Sequence, residues 1–522
     1  MIKKVATKQL KVDKVVKENK LGVMPISKLL LTMSLPAMFS MLVQSLYNIV
    51  DSLFVAKSSI DAMTALTFAF PLQQIMLAFA LGVGVGTSTI VARRLGEKNK
   101  LDADKLAQTG FKIAIITTLT FMILGSFLPR LFMMIFTNNA KILTDGTNYL
   151  TICMVCCFGM MIEILISKIL QATGNMIIPM LSQLLGAVIN ITFDPIFIFV
   201  CDLGIIGAGI ATVMGQIISM IFVLILALKR KHIIDIMFKI KHWKDLKISL
   251  KGVKEIVRIG MPVMVMNAVA GIIVLIMNKI IGGYNDQAPN ALGAYFKLQS
   301  FVFMPVFGLN QGALPILSYN FGANEYKRYK KTFYLAIIVS LTIMAIGLIV
   351  FQLCPEWLIS MFKNEKEMDK YAELLKVGTI TLRVISWSFL FAAVNIIVTT
   401  GYQSIGYGLT SLIMSLLRQV IFILPLAIVF GIFWGLDVLW WSYPISDVLV
   451  MIIFTPYYLV AVKKAFAKRC NMQLASDVEG VLSTEVMLEE SIAADVMNSN
   501  TQDNIEMEVV TNESDEIAES ET

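Results

Sequence analysis

Two aspartates stand in stretches that are otherwise apolar, and their chemistry needs an explanation. Asp51 lies within LPAMFSMLVQSLYNIVDSLFVA (35–56), and Asp194 lies within NITFDPIFIF (190–199). A charged side chain at hydrocarbon depth is costly, so it is expected to face a cavity or a partner. Burial disfavours the ionised form, and two neighbouring carboxylates resist ionising together. The pair could therefore take up and release a proton as one coupled unit.

Two neutral polar residues are expected to join these aspartates. Asn190 precedes Asp194 by one helical turn, and Thr212 lies on the next apolar run. At about 1.5 Å of rise per residue, Asp51 lies roughly 34 Å and Asp194 roughly 27 Å from the inner ends of their helices, and Thr212 reaches a similar depth. Their oxygens could equally bind a hard cation such as Na⁺. The alternative is that each aspartate bonds a backbone group at a helix irregularity, which Pro195 makes credible.

Other ionisable residues lie deep in apolar runs but invite a structural interpretation. Arg383, Arg418 and Asp447 are at mid-helix depth. We interpret them mainly as an internal salt bridge that holds the tenth to twelfth helices together, with substrate contact as the alternative. Glu163, in the fourth helix, is assigned equally to a cavity or to structural pairing.

The rest of the sequence offers little for catalysis or metal binding. Six cysteines without a paired pattern and two histidines argue against a metal centre or a disulfide scaffold. The stretch GVGVGTSTIVARRLGEKN (82–99) lacks the Gly-Lys-Ser/Thr ending of a phosphate-binding loop, so close helix packing through Gly82 and Gly86 explains it better. No Walker, HExxH or GxSxG motif occurs. The chain is expected to be neither an enzyme nor an ATP-driven pump, and to need no cofactor and no metal.

The elements that position these residues follow from composition. Of the 522 residues, 57% are apolar and 16% charged, and the mean hydropathy is +0.74. These values exclude an ordinary soluble domain, in which about 25% of residues are charged. Runs of roughly 20 apolar residues predict membrane-spanning helices. The predicted spans are 29–55, 64–92, 109–137, 146–170, 176–201, 204–229, 256–283, 291–320, 332–354, 372–398, 408–432 and 436–462.

The distribution of charge predicts the orientation. Lysines and arginines cluster before the first predicted helix and after the second, sixth, eighth and twelfth, which a twelve-helix count places on one side. Short cytoplasmic loops are enriched in these residues, so both termini are predicted to be cytoplasmic in a multi-pass cell-membrane protein. Residues 470–522 contain 14 acidic and no basic residues and are expected to be a disordered tail.

An internal repeat predicts two lobes. An offset of 226 residues aligns Pro36 with Pro262 and a series of other residues in the same order. The glycine matches are Gly82, Gly86 and Gly96 with Gly308, Gly312 and Gly322. Because each half has an even number of helices, the halves point the same way, related by an axis along the membrane normal. We therefore predict an all-α membrane protein of twelve transmembrane helices in two six-helix lobes related by a pseudo-two-fold axis, with a cavity between them.

The repeat is asymmetric in its chemistry. Asp51 aligns with Met277, and the segment that resembles Asp194-Pro195 reads Leu424-Pro425. The ion site is therefore predicted in the first lobe alone. The predicted organisation is a basic N-terminal arm (1–28), a first lobe (29–229), a basic cytoplasmic linker (230–255), a second lobe (256–463) and an acidic tail (464–522).

Several segments resemble the multidrug and toxic compound extrusion (MATE) family. The resemblance extends from residue 29 to about 463. It rests on 35–56, 82–99, QATGNMIIPM (171–180), NITFDPIFIF (190–199), GIIGAGIAT (204–212) and ILSYNFGANE (316–325). The family consists of secondary antiporters with two six-helix lobes that export organic cations and other drugs against H⁺ or Na⁺ entry.

The resemblance implies a first-lobe coupling site at Asp51, Asn190, Asp194 and Thr212. Some members also use acids in the seventh and tenth helices. Here the seventh helix, MPVMVMNAVAGIIVLIMN, has none and the tenth offers Arg383, so a second-lobe sodium site is not expected.

The function expected from the sequence is drug/cation antiport by alternating access, with H⁺ or Na⁺ as the coupling ion. The expected partners are small, cationic, amphiphilic substrates and membrane lipids, without nucleic acid. The oligomeric state is left open, with a monomer favoured. One alternative is a flippase for lipid-linked precursors, which would require a basic cavity to bind phosphate. The other is a channel or an intramembrane enzyme.

Overall fold

The computed structural model describes residues 19–229, 250–285, 287–362 and 368–471, and within these ranges it contains helices and turns but no strand. Most of the predicted N-terminal arm (1–18), most of the linker (230–249) and most of the acidic tail (472–522) lie outside the described residues. The chain divides into Met1–Ala461, which contains almost all of the helices, and Val462–Thr522, of which 462–471 complete the last helix.

Within the described residues, ten helices are long and apolar enough to cross a membrane, and two further spans are bent helix pairs. The first lobe comprises α1 (Ile26–Ser58), α2 (Ile60–Gly96), α3 (Lys100–Gly125), α4 (Ala140–Val155 and Phe158–Ala172), α5 (Ile177–Val200) and α6 (Gly204–Lys229). The second comprises α7 (Leu250–Gly282), α8 (Ala288–Gly322), α9 (Tyr326–Leu353), α10 (Met368–Ser386 and Ser388–Ser404), α11 (Gly408–Trp434) and α12 (Leu436–Asn471). Both α4 and α10 bend by 46° at their breaks. This is the predicted architecture of two six-helix lobes.

The bounds of α3 differ from the predicted span 109–137. The helix begins earlier because Asn99 caps it, its Oδ1 accepting from the backbone N–H of Asp102 (3.1 Å), so a polar first turn precedes the apolar run. It ends at Gly125, and a separate short helix, Leu128–Met134, follows with Pro129 in its first turn. Proline lacks the backbone N–H needed to continue a preceding helix, and it is favoured in the first turn of a new one. Pro129 therefore favours the end of α3 and the start of the short helix.

Two proline-associated irregularities occur at corresponding places in the lobes. The last turns of α5, Ile196–Val200, are π-helical and directly follow Asp194-Pro195. In α11 the π-helical segment Leu417–Ile423 directly precedes Leu424-Pro425. Single π turns inside α-helices are often found at functional sites. In the first lobe this irregularity lies directly beside an aspartate, whereas in the second it lies beside a leucine.

The glycines of the repeat lie where the two lobes meet. A Cβ on Gly86 (α2) would lie 3.1 Å from the backbone nitrogen of Gly260 (α7), and a Cβ on Gly82 would be 2.8 Å from the Gly260 carbonyl oxygen. In the matching contact, a Cβ on Gly312 (α8) would lie 2.8 Å from Cα of Ser34 (α1). The lobes therefore approach backbone to backbone, as small residues allow.

One end of the bundle carries many basic residues, and we refer to it as the basic side. Its described lysines and arginines include Arg93, Arg94, Lys98, Lys100, Lys105, Lys251, Lys254, Arg258, Lys327, Arg328, Lys330 and Lys331. Arg94 at the end of α2 pairs with Glu255 at the start of α7 (3.0 Å), which joins the lobes there.

Candidate functional site

Three of the four predicted site residues form one hydrogen-bonded group in the first lobe. The side-chain amide of Asn190 donates to Oδ1 of Asp194 (3.3 Å) and to Oγ1 of Thr212 (3.2 Å). Asp194 is fully buried and Asn190 nearly so. Asn190 therefore joins α5 to α6 and holds one oxygen of the Asp194 carboxyl group in place.

Asp51 completes the group from α1. Its carboxyl group is close enough to that of Asp194 for the two to share a hydrogen bond. Oδ1 of Asp51 and Oδ2 of Asp194 are buried and have no hydrogen-bond partner among the described residues. A hydrogen bond between two carboxyl groups requires one proton, because ionised carboxylates can only accept. The arrangement is therefore suited to holding a single proton between two acids.

Close helix packing brings these elements together. A Cβ on Gly215 (α6) would lie 2.8 Å from the carbonyl oxygen of Gly186 (α5), and one on Gly207 would lie 2.7 Å from the backbone carbonyl of Phe197. With side chains at these positions, α6 could not approach α5 closely enough for Thr212 to reach Asn190. The glycine-rich start of α6 is thus what allows the polar group to form.

Sequence reasoning missed three polar neighbours of this cluster. Tyr47, one turn before Asp51 on α1, lies near both carboxyl groups. Tyr149 of α4, also within electrostatic range of Asp51, accepts a hydrogen bond from Nε2 of Gln73 in α2 (2.9 Å). The spacing of Tyr47 from Asp51 was a usable signal, and so was Gln73, because the offset of 226 residues aligns it with Gln299. These residues extend the cluster to four helices besides α6.

The charged group of the second lobe has a different arrangement. Arg418 pairs with Oδ1 of Asp447 (3.1 Å), and Asn395 donates to the same oxygen (3.1 Å), so α10, α11 and α12 are joined. Arg383, predicted as the third member, is instead exposed, and its carbonyl accepts from Gln352 (2.7 Å). Arg383 lies near the end of the first α10 segment, before the bend. Asn395, the α10 residue that does bond Asp447, lies on the second segment.

Glu163 lies outside the acidic cluster. Its Oε1 accepts hydrogen bonds from Ser167 (2.8 Å) and Ser182 (3.2 Å), and the residue is buried between α4 and α5. This geometry corresponds to structural pairing. No group of three or more His, Cys, Asp or Glu side chains suited to a metal ion occurs in the part of the chain that the structure describes.

Comparisons with known proteins agree with this architecture. The model of the MatE family matches residues 36–196 and 262–429. The multidrug export protein MepA of Staphylococcus haemolyticus is 25% identical over 423 residues, which cover 81% of this chain and 91% of that protein. MepA of Staphylococcus aureus (strain MSSA476) is 24% identical over 434 residues, covering 81% and 92%. A crystal structure of MATE in complex with MaL6 has a TM-score of 0.81 at 22% identity and covers 86% of this chain and 99% of that one.

Proposed function

The chain belongs to the MatE family, and from this we propose that it is a secondary active antiporter that exports organic cations and other drugs in exchange for an ion, by alternating access of its two lobes. The multidrug export proteins that it resembles support the substrate class. The observation that carries the coupling mechanism is the contact between the carboxyl groups of Asp51 and Asp194.

The geometry of the acidic cluster favours H⁺ as the coupling ion. The two carboxyl groups approach each other as partners in one hydrogen bond, which a proton satisfies and a metal cation does not. Asn190, a neutral side chain, already donates to Asp194. The carboxyl pair therefore has a neutral hydrogen-bond partner when it holds a proton. A sodium ion would require the carboxyl oxygens and Thr212 to converge on one point as oxygen ligands.

Exchange follows from competition at this cluster. A proton that enters from outside lowers the negative charge of the pair of acids and weakens their attraction for an organic cation, which is then released outward. Deprotonation towards the cytoplasm restores the charge and the affinity. A ligand shifts a conformational equilibrium only through such differential affinity for the two states. In this orientation the basic side of the bundle and both termini are cytoplasmic.

The experiment that tests this function is efflux of ethidium from cells that express the protein, with the proton and sodium gradients collapsed separately. Asp51→Asn and Asp194→Asn should each abolish gradient-driven efflux at normal membrane expression, because asparagine keeps the size and hydrogen bonding but cannot titrate. Asp145→Asn, in the same lobe but outside the cluster, is the matched control and should retain efflux. Full gradient-dependent efflux by either cluster variant would show that its carboxyl group is structural.

A further inference from the structure

Lys168 of α4 is a buried cation that the proposed coupling mechanism does not use. The residue is 9% exposed. Its ammonium group donates to Oε1 of Gln171 (3.1 Å) and to Oε1 of Gln311 (2.9 Å). A buried ammonium is strongly destabilising unless acceptors replace its water. Both of these acceptors are therefore important to the state in which Lys168 is buried.

The bond to Gln311 crosses from the first lobe to the second. Gln311 belongs to α8, and its side-chain Oε1 also accepts a hydrogen bond from Nε2 of Gln171 (3.3 Å). Its own amide donates to the sulfur of Met41 in α1 (3.3 Å). One second-lobe side chain is thus bonded to three first-lobe residues on two helices.

The surrounding backbone leaves room for this bridge. A Cβ on Gly84 (α2) would lie 3.0 Å from Cγ of Lys168, so glycine there accommodates the lysine stem. Gln311 immediately precedes Gly312, which packs on Ser34 of α1. The bridge therefore belongs to the close interlobe contact made by the halves of α1 and α8 nearer the basic side.

The charges around Lys168 determine which partner it keeps when the lobes part. Glu163, five residues earlier on α4, attracts Lys168 electrostatically within the first lobe. Gln311 is neutral and belongs to the other lobe. If the lobes separate on the basic side, water can replace the amide oxygen of Gln311, and Lys168 keeps Gln171 as its first-lobe acceptor and Glu163 as a nearby negative charge. A charge-assisted hydrogen bond of this kind stabilises the closed arrangement but can break reversibly, because ammonium groups hydrate well.

From these contacts we propose that Lys168 and Gln311 form a reversible latch that holds the basic side closed, and that breaking it accompanies opening towards that side. The inference rests on the alternating access proposed above. Lys168 acts here as a positioning residue: it sets the balance between two arrangements of the lobes and does not bind the coupling proton.

Two substitutions at Gln311 should shift this balance in opposite directions. Gln311→Leu removes the acceptor, so the ratio of open to closed basic sides should rise, by about tenfold for a lost charge-assisted bond. Gln311→Glu replaces the amide with a carboxylate that pairs with Lys168, so the same ratio should fall and transport should slow. Lys168→Met should resemble Gln311→Leu. A general loss of folding could not produce opposite shifts from one position.

The measurement is the distribution of distances between spin labels at Lys98→Cys and Lys327→Cys, exposed positions on the basic-side ends of the two lobes. The background is a full-length chain in which all six native cysteines are replaced and ethidium efflux is retained. Ser340→Ala is the control, because it removes a buried hydrogen bond to the carbonyl of Ala393 (3.4 Å) within the second lobe and should leave the ratio unchanged.

The outcomes separate the latch from the proposed function. Two distance populations that respond to the proton gradient, with opposite shifts in the two Gln311 variants, support both. Two populations whose ratio neither Gln311 variant alters, or both alter alike, overturn the latch and leave alternating access standing. A single distance in the parent under every gradient overturns alternating access, and the latch with it.

Discussion

At the residue scale, the pair of Arg418 and Asp447 tests whether the second-lobe charges hold helices together. The side chain of Asp447 is 6% exposed and that of Arg418 is 31% exposed. In Asp447→Asn the guanidinium loses its counter-charge in a partly buried place. We expect the free energy of unfolding to fall by about 1–2 kcal/mol, less than the loss for a fully buried pair because Arg418 is only partly buried. The check is the Tm of the detergent-solubilised protein.

Asp437→Asn, an exposed aspartate in the same lobe, is the control and should leave the Tm unchanged. Ethidium efflux per folded molecule should persist in both variants. An unchanged Tm combined with lost efflux in Asp447→Asn would argue instead that the pair contacts substrate.

The residues of the acidic cluster differ in how far the sequence could reveal them. Asp51 and Asp194 stand out because an acid in an apolar helix demands a reason. Asn190 and Thr212 follow from helical depth and spacing. Tyr149 could not be found this way, because a tyrosine is common in such helices and its partner Gln73 is 76 positions away along the chain. A pattern within one helix carries no information on which other helix it faces.

At the element scale, Gly312 decides how closely α8 can approach α1. In Gly312→Ala the new methyl group would lie 2.8 Å from Cα and 2.9 Å from the backbone nitrogen of Ser34. Backbone cannot rotate away, so the helices must separate. We expect a lower Tm and lower ethidium efflux, although alanine in a helix interior otherwise stabilises by about 1 kcal/mol relative to glycine.

Gly293 is the matched control, because it lies on the same helix and a Cβ there would meet nothing within 4 Å. Gly293→Ala should keep efflux and hold or raise the Tm. Equal Tm values for the two variants would mean that α1 and α8 tolerate a wider separation than the close contact at Ser34 implies.

The helices themselves were largely predictable, whereas their breaks were not. Runs of apolar residues predicted twelve spans, because hydrocarbon thickness sets a minimum length. The bend in α4 after Val155 and that in α10 at Trp387 fall where no proline marks them. The polar first turn of α3 was missed for the opposite reason, since it lies beyond the apolar run and is held by the Asn99 cap. Hydropathy reports where a chain can lie in a membrane, not where its helix begins or bends.

At the scale of the whole molecule, the repeat predicted two lobes but not how they meet. Matching glycines indicated that the two halves have a similar geometry. The structure places these glycines at the contacts between the lobes. The bond between Lys168 and Gln311 joins residues 143 positions apart and has no counterpart in the repeat pattern. Contacts between lobes depend on the relative placement of two folded units, which periodicity along the chain does not encode.

The orientation of the molecule decides the direction in which the acidic cluster faces. Basic residues gather at one end of the bundle, and short cytoplasmic loops are enriched in such residues. We therefore expect reporters fused after Arg469 and within 230–249 to report a cytoplasmic location, and one inserted beside Asn285, between α7 and α8, to be exported. Paired alkaline phosphatase and green fluorescent protein fusions at each position measure this, since one is active outside and the other fluoresces inside.

An odd number of crossings must separate the linker from Asn285, and α7 provides one. A second fusion beside Asn324, where α8 ends, is the control and should again be cytoplasmic. If Asn285 reported a cytoplasmic location while Asn324 was exported, the bundle would be inverted. The cluster of Asp51 and Asp194 would then lie in the cytoplasmic half, proton entry from outside would no longer reach it first, and the proposed exchange would lose its outward direction.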